Sequence, residues 1–360
     1  MSAPTSDTTV HLTADLLAEV EGAICRYVVV QDHALEALAL YVLHTWAFDA
    51  AHTTPYVILA SAEKQSGKTL LLEVLELLVR QPWRTATTSA AALYRRVHRD
   101  HPTLLLDEID ATFTGKGDTE ALRGVLNAGN RRGGQATRFD AKSEDVRDFD
   151  VFCPKVLAGI DTGHVPETVR DRSITVRMHR RRGDETVERF RFRRAVEDTA
   201  ELRDRLQVWA AEFTPVLADA DPELPDVLGH RAAEGWEPLL AIADVAAGAW
   251  PQRARSAACA LSGTPEDGQE VGHGAQLLAA IQRLVGERKG IATDELLASL
   301  NGDELLPFGA WNDRAGLDAR ALARLLRPYG IKPGKHRLDS GGPVRGYRRS
   351  DFADAWSRYL

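Results

Sequence analysis

The chain has few cysteines, and their arrangement excludes two classes of small stabilised fold. Its 360 residues include only Cys25, Cys153 and Cys259. Their odd number and wide spacing fit neither a disulfide framework nor a zinc site. All three lie among apolar neighbours, so we expect buried, unreactive thiols and a reducing compartment, the cytoplasm.

Long apolar runs are also lacking. No run reaches the roughly 20 residues that a helix needs to span a bilayer. The longest candidate, residues 34–47, is interrupted by Glu36 and His44. The N-terminus has acidic residues early and no basic stretch of the kind that begins a signal peptide. The sequence therefore predicts neither a membrane helix nor a secretory leader.

An excess of positive charge is lacking too, since the formal net charge is −7. This excludes a protein coated in positive charge but not a local nucleic-acid site. Basic residues do cluster, within residues 131–138, 177–194 and 332–349. Each cluster can be a solvated face or a phosphate contact, and both interpretations stay open.

The hydrophobic pattern predicts an α/β architecture. Helical spacing between Leu12 and Ala50 indicates two helices joined near Gln31–Asp32, after a disordered start at residues 1–10. Buried strands are predicted at 56–59, 103–106, 155–160 and 173–178. Helices between them favour a parallel sheet covered on both faces. Further helices are predicted at 201–213, 222–230 and 236–247, and a stretch rich in Gly, Pro and acidic residues follows.

One segment matches a phosphate-binding loop. Ala62–Thr69 reads Ala-Glu-Lys-Gln-Ser-Gly-Lys-Thr and fits G-x-x-x-x-G-K-[ST] except at its first position. A predicted strand precedes it and a helix follows it, as such loops require. Backbone N–H groups would surround the phosphates of ATP, Lys68 would place a cation at the β- and γ-phosphates, and Thr69 would offer a hydroxyl to Mg²⁺. The predicted ATP-binding residues are Ala62, Glu63, Lys64, Gln65, Ser66, Gly67, Lys68 and Thr69.

A second acidic signal follows about forty residues later. The apolar run 103–106 leads into Asp107 and Glu108, and ligands bind at the carboxyl ends of strands in open α/β sheets. We expect Asp107 to hold Mg²⁺ and Glu108 to polarise the attacking water. The alternative is an acidic loop after a core strand, with Asp110 as a helix cap.

This order of motifs resembles the AAA+ ATPases, and the resemblance implies further site residues. Asp161, at the end of the predicted strand 155–160, stands where that family carries a polar sensor, usually Asn or Thr. The segment Glu167–Ser173 resembles the arginine-finger segment. Arg172 is the preferred finger and Arg170 the second choice. The alternative is that both arginines pair with acidic neighbours such as Glu167 and Asp171.

A more particular resemblance covers most of residues 20–256. Residues 41–69 and 230–255 are similar to uncharacterised ATPase domains of actinobacterial phages and integrated elements, often fused to primase modules. The resemblance implies that Arg231 is a second-sensor arginine, whereas Trp236 and Trp250 are core residues. It implies a DNA helicase or replication motor that acts as a homo-oligomeric, hexameric ring with a primase partner. With only about fifty residues before the core, we expect no polymerase activity in this chain.

Two basic regions are candidates for DNA contact. The stretches 135–139 and 146–152 predict a β-hairpin that carries Arg138, with Lys142 near its tip. It resembles the pore hairpin of superfamily-three helicases, although a hairpin of no special role remains open. The C-terminal ninety residues resemble a winged helix that contacts DNA phosphates or a protein. Its candidate contacts are Arg320, Arg324, Lys335, Arg337, Arg345 and Arg348.

The sequence thus predicts an α/β protein with a helical N-terminal segment and lid and a C-terminal winged helix. The predicted divisions are N-terminal helices at 1–50, an AAA+ core at 51–194, a helical lid at 195–260, a linker at 261–273 and a winged helix at 274–360. The leading interpretation is a DNA helicase or replication motor. The alternatives are a regulatory or defence NTPase that remodels a protein, and a nucleotide-gated DNA-binding module.

Overall fold

The chain forms two compact units, Met1–Gly263 and Thr264–Leu360. The structure is a computed structural model. It describes residues 6–61, 66–86, 88–109, 119–140, 145–160, 165–182, 184–262, 273–303, 305–311, 315–337 and 343–360.

The first unit alternates strands and helices between two helical segments. In chain order its elements are α1 (Ser6–Cys25), α2 (Asp32–Ala47), β1 (Tyr56–Ser61), α3 (Lys68–Leu78), β2 (Pro82–Thr85), α4 (Ala90–Asp100), β3 (Thr103–Leu106), α5 (Thr119–Ala128), β4 (Gln135–Asp140), β5 (Asp145–Asp150), β6 (Lys155–Ile160), α6 (Glu167–Arg170), β7 (Ser173–Arg177), α7 (Phe192–Asp198), α8 (Ala200–Ala218), α9 (His230–Ala246) and α10 (Trp250–Ser262).

Five of these strands form one parallel sheet in the order β2-β3-β6-β1-β7. All six residues of β1 are buried, as expected of a parallel strand covered on both faces. The predicted α/β class is confirmed. The strand β2 was not predicted, because Pro82–Thr85 has no apolar run; its proline is tolerated as the first residue of an edge strand.

The N-terminal helices pack with the later helices into one core. Helix α2 is apolar almost all round and correspondingly buried on most of its surface. Leu38 and Leu40 share this core with Trp209 and Trp236, and Trp250 is buried as well. The disordered start predicted for residues 1–10 is wrong in part. Helix α1 already begins at Ser6, because each further residue adds a hydrogen bond at little cost once a helix exists.

Three other expectations in this unit need correction. Residues 222–230 are not a helix; α9 begins at His230, and Pro222 and Pro225 lack the N–H groups that a helix needs. Helix α10 was not predicted as such. Cys25 is exposed, whereas Cys153 is buried and Cys259 is partly buried, so the prediction of three buried thiols holds fully for Cys153 alone.

The second unit is a winged helix. Its elements are α11 (His273–Val285), β8 (Gly290–Ala292), α12 (Thr293–Gly302), α13 (Ala319–Leu326), β9 (Gly334–Arg337), β10 (Pro343–Arg348) and α14 (Ala353–Tyr359). The strands form an antiparallel sheet in the order β8-β10-β9. The three-residue β8 was missed in the sequence because it is too short to show a period of two. Single turns of 3-10 helix lie at Phe48–Ala50, Pro307–Ala310, Arg327–Tyr329 and Arg349–Phe352.

Across the described ranges, every helix is too short or too polar to cross a membrane.

Candidate nucleotide site

The candidate phosphate loop joins β1 to α3 on the side of the sheet where the carboxyl ends of the strands lie, which we call the carboxyl edge; the opposite side is the amino-terminal edge. Gly67 caps the helix with a left-handed φ of +84°, a conformation that other residues adopt only with strain. Within the described residues, a methyl group added at Gly67 would meet no atom closer than 3.8 Å, so the observed reason for a glycine here is the backbone angle. Ala62, Glu63, Lys64 and Gln65 lie outside the described residues.

Lys68, the first residue of α3, directs its ammonium group back over the end of β1. Its Nζ donates to the Oγ of Ser61, the last residue of β1, and to the Oγ of Ser66 at 3.2 Å. Ser66 is buried, whereas Thr69 on the first turn is exposed. The cation therefore lies at the helix N-terminus, where backbone N–H groups and the helix dipole also favour an anion.

Asp107 and Glu108 follow β3 at the same edge of the sheet. Because β6 separates β3 from β1 and strands lie roughly 4.8 Å apart, the two strand ends are about 10 Å apart. The backbone N–H of Asp107 donates to the carbonyl of Thr85 at 3.1 Å. That distance between strand ends can accommodate a phosphate chain and a cation between Lys68 and Asp107.

Glu108 has an unusual backbone conformation. Its φ is +55°, which costs a residue with a Cβ about 1–2 kcal/mol. Its N–H donates to Oδ1 of Asp107 at 3.1 Å, and the residue is exposed. Strained backbone of this kind concentrates at functional sites, so the outlier marks this acidic pair as a candidate for function.

Arg84 on β2 is a neighbour of Asp107 that the sequence did not reveal. Its guanidinium lies 3.4 Å from Asp107 Oδ2, 3.1 Å from Glu73 Oε1 and 3.6 Å from Glu76 Oε2. Burial lowers the pKa of Arg84, but the hydrogen bond to Glu73 and the neighbouring carboxylates outweigh it and raise the pKa. The three carboxylates hold Arg84 in place beside Asp107.

A cavity of about 510 Å³ opens beside Ser66 and Gly67. Its apolar wall includes Tyr27, Leu70 and Phe190, and the rings of Tyr27 and Phe190 meet edge to face at 5.1 Å. Phe190 belongs to residues 178–191, which we call the strap and which also supply the polar side chains of the lining. Residue 183 is outside the described ranges. An apolar wall next to a cationic loop suits a ligand that has a ring and an anionic group.

Arg172 lies at the opposite, amino-terminal edge of the sheet. Its carbonyl accepts the N–H of Tyr56, the first residue of β1, and its guanidinium donates to the carbonyl of Thr168. Six strand residues span about 20 Å, so Arg172 and Lys68 of one chain cannot reach the same phosphate group. Arg170, the last residue of α6, lies at this edge as well.

Arg231 also lies at the amino-terminal edge, and not beside Lys68. It pairs with Asp171 at 2.7 Å. In the alternative to an arginine finger, Arg170 and Arg172 pair with acidic neighbours such as Asp171; the structure shows Asp171 bound by Arg231. Arg172 and Arg231 line one cavity of about 500 Å³. A second-sensor role toward the nucleotide of the same chain is therefore at odds with this placement, whereas a joint role with Arg172 agrees with it.

The hairpin residues divide into a packed side and an exposed side. Arg138 donates to the hydroxyl of Tyr94, and its guanidinium stacks on that ring with 4.7 Å to the centroid. Phe139 and Val146 face each other near the tip and are 67% and 58% exposed. Lys142 and Asp161 lie outside the described residues. Arg138 thus packs on its own unit. The described residues nearest the tip are the exposed apolar pair Phe139–Val146 and, one position beyond it, the pair Asp140–Asp145.

The second unit presents the predicted basic wing. Lys335 on β9 and Arg345 on β10 are directly opposite each other in the antiparallel pair, and both are exposed. Arg348 donates to His336 Nδ1 at 2.9 Å. Arg320 and Arg324 are exposed on α13. Arg337 is the last residue of β9.

The fold and the sequence motif define a parallel α/β protein with a candidate phosphate loop, joined to a winged helix. Residues 177–359 match the model of a family described as a protein of unknown function, DUF3631. A relative in Saccharopolyspora erythraea, an uncharacterised 28.9 kDa protein in the xis 5′ region, is 37% identical over 182 residues, which cover 51% of this chain and 68% of that protein. The chain belongs to the DUF3631 family.

The family match begins at Arg177, the last residue of β7, and so includes the strap, the helices that follow it and the second unit. Among solved structures, the apo A form of the C-terminal region of NrS-1 is similar, with a TM-score of 0.45 and 11% identity. The alignment covers 93% of this chain and 75% of that chain.

Proposed function

We propose that this chain is an AAA+ type ATPase that drives DNA replication in a phage or mobile element. One observation carries the proposal. Lys68 and the acidic pair Asp107–Glu108 share the carboxyl edge of the sheet, whereas Arg172 lies about 20 Å away at the amino-terminal edge. A site completed by an arginine of a neighbouring subunit explains both positions.

In this proposal the phosphates of ATP bind the loop at Ala62–Thr69, and Lys68 contacts the β- and γ-phosphates. Thr69 and Asp107 would hold Mg²⁺, an ion that proteins often bind through one or two carboxylates together with substrate phosphates. When bound, the ion neutralises charge that develops on the transferred phosphoryl group. The exposed Glu108 carboxylate orients and polarises the attacking water.

The arginines of the amino-terminal edge complete the site of the next subunit. Arg172 is the proposed finger, with Arg170 as second choice, because a guanidinium is always charged and can bridge two phosphate oxygens. Arg231 joins Arg172 when the phosphate of the neighbour displaces Asp171. Such a head-to-tail contact repeats around a closed ring, for which we propose six subunits.

Two features support DNA as the partner of the proposed motor. The opposed cations Lys335 and Arg345 repel each other unless an anion lies between them, because like charges directly opposite in a sheet are destabilising. The S. erythraea relative is described by its position in the xis 5′ region, and we propose a comparable mobile-element setting here, with a primase as partner.

The first test is nucleotide binding and hydrolysis by the full chain. Lys68→Ala should weaken ATP affinity at least tenfold and abolish Mg²⁺-dependent hydrolysis, because the phosphates lose their principal cation. Lys332→Ala, an exposed lysine of the second unit, is the control. Single-stranded DNA should stimulate hydrolysis, and the protein should unwind a fork. Hydrolysis that is indifferent to DNA, with no unwinding in either polarity, would contradict the replication motor.

The hairpin favours a second candidate, an ATPase that remodels a protein. Its described strands carry more carboxylates than cations, Phe139 and Val146 are exposed next to the Asp140–Asp145 pair at its tip, and Arg138 is engaged with Tyr94. An apolar, acidic tip suits a protein surface better than a phosphate backbone. ATP hydrolysis that is insensitive to DNA but requires Phe139 for activity on a protein partner would favour this candidate.

A further inference from the structure

Two arginines of the strap line the cavity beside the candidate phosphate loop. Arg181 and Arg189 border the same space of about 510 Å³ as Ser66 and Gly67, and both are exposed. Among the described residues, neither arginine has a carboxylate within 4.0 Å. Arg26, in the nearby turn between α1 and α2, differs in this respect, since it pairs with Glu188 at 2.9 Å and with Asp198 at 2.8 Å.

The cavity is therefore cationic in a chain of net charge −7. His179 adds a third basic side chain to the lining. Glu188 is the one carboxylate among the described lining residues, and the guanidinium of Arg26 already binds it. The backbone N–H of Glu188 also donates to the carbonyl of Arg26 at 2.8 Å. Guanidinium groups that face an open cavity, with no carboxylate within 4.0 Å in the described part of the chain, favour an anion. Their planar fork matches phosphate oxygens in particular.

We propose that Arg181 and Arg189 bind the phosphate chain of the nucleoside triphosphate that Lys68 holds in the same chain. This inference rests on the proposed function and extends it. Arg231 lies at the other edge of the sheet with Asp171, so the second cation within the chain comes from the strap. Two contacts hold the strap against the turn between α1 and α2: the rings of Tyr27 and Phe190 touch, and Arg26 pairs with Glu188.

The experiment measures binding of three probes to the full chain: a fluorescent ATP analogue, inorganic tripolyphosphate as its competitor, and adenosine. Arg181→Ala and Arg189→Ala should each weaken binding of the ATP analogue and of tripolyphosphate about tenfold, the loss expected for a charge-assisted contact. Adenosine binding should stay within twofold, because the apolar wall is unchanged. Arg181→Lys and Arg189→Lys should recover part of the loss, which a purely structural role would not predict.

Arg182→Ala and Arg191→Ala are the matched controls, since both arginines are exposed nearby but do not line the cavity. They should bind all three probes as the wild type does. Tripolyphosphate affinity within twofold of wild type in both strap variants overturns the inference, provided that Lys68→Ala still weakens it. If wild type and Lys68→Ala bind the probes equally, or neither binds, the proposed function itself fails and the inference falls with it.

Discussion

His44 and Lys155 are titratable side chains buried in the first unit and held by neutral oxygen atoms. His44 Nε2 lies 2.8 Å from the Thr54 hydroxyl. Lys155 donates to the carbonyls of Gly129, Val151 and Cys153 at 2.8 to 3.1 Å. Neither side chain has a counter-charge among these partners, so burial opposes the charged form of both. Burial lowers the pKa of Lys155, and it lowers the pKa of His44 to about 3.

The low pKa of His44 makes the stability of the fold depend on pH. The unfolded chain takes up a proton near the ordinary histidine value of about 6.5, whereas the folded chain does so only near 3. The contribution of His44 is complete above pH 6.5 and falls as the pH drops toward 3. Between pH 6 and 4, protonation of His44 in the unfolded chain should lower the free energy of unfolding by roughly 1.4 kcal/mol for each unit by which the pH falls.

Urea unfolding at several pH values measures this dependence. Wild type should lose stability between pH 6 and 4 more steeply than His44→Gln, by roughly 1.4 kcal/mol per pH unit. His52→Gln, which removes an exposed histidine, should keep the wild-type slope. Equal slopes for wild type and His44→Gln would mean that His44 takes up its proton over the same pH range in the folded and the unfolded chain, which contradicts the prediction.

At the scale of elements, the wing is a pair of strands with opposed cations. Removing Lys335 or Arg345 should relieve their repulsion and also remove a phosphate contact. For the full chain on duplex DNA, Lys335→Gln and Arg345→Gln should each reduce the slope of log affinity against log salt by about 1, and weaken binding similarly for unrelated sequences. Anisotropy titrations at several salt concentrations measure both.

Arg349→Gln is the comparison for the wing, because Arg349 already lies 3.4 Å from Glu287. It should change the salt slope less than the wing variants do. Salt slopes that stay at the wild-type value in both wing variants would leave the second unit as a protein-interaction module.

Elements with strong apolar patterns were predictable, and elements defined by packing were not. The strands β3 and β6 follow from unbroken apolar runs, and their observed bounds match the predicted ones. Strand β2 has no such run; its place beside β3 comes from pairing across the sheet. Because β2 went unrecognised, Arg84 beside Asp107 went unrecognised as well.

The same distinction holds for the candidate site. Lys68, Asp107 and Glu108 could be predicted from local spacing alone, because a phosphate loop and an acidic strand end are each continuous in sequence. Arg231 lies sixty residues from Asp171. The strap lines the cavity beside the loop and contacts the turn between α1 and α2. Such positions follow from the packed fold, and no sequence period encodes them.

At the scale of the whole molecule, the two edges of the sheet have complementary halves of one proposed site. The carboxyl edge has Lys68 and the acidic pair, and the amino-terminal edge has Arg172 and Arg231. A monomer would leave both halves incomplete. Joining the carboxyl edge of one copy to the amino-terminal edge of the next gives a heterologous contact, which closes into a ring when the rotation per subunit allows it.

Mixing two inactive variants tests this arrangement. Lys68→Ala subunits retain Arg172, and Arg172→Ala subunits retain Lys68, so each variant alone should lack ATPase activity. In an equal, random mixture, one contact in four pairs an intact loop with an intact arginine, so about one quarter of wild-type activity should return. Mixing Lys68→Ala with the double variant should restore nothing. If the mixture stays inactive while sedimentation shows mixed assemblies, Arg172 does not act across a subunit boundary.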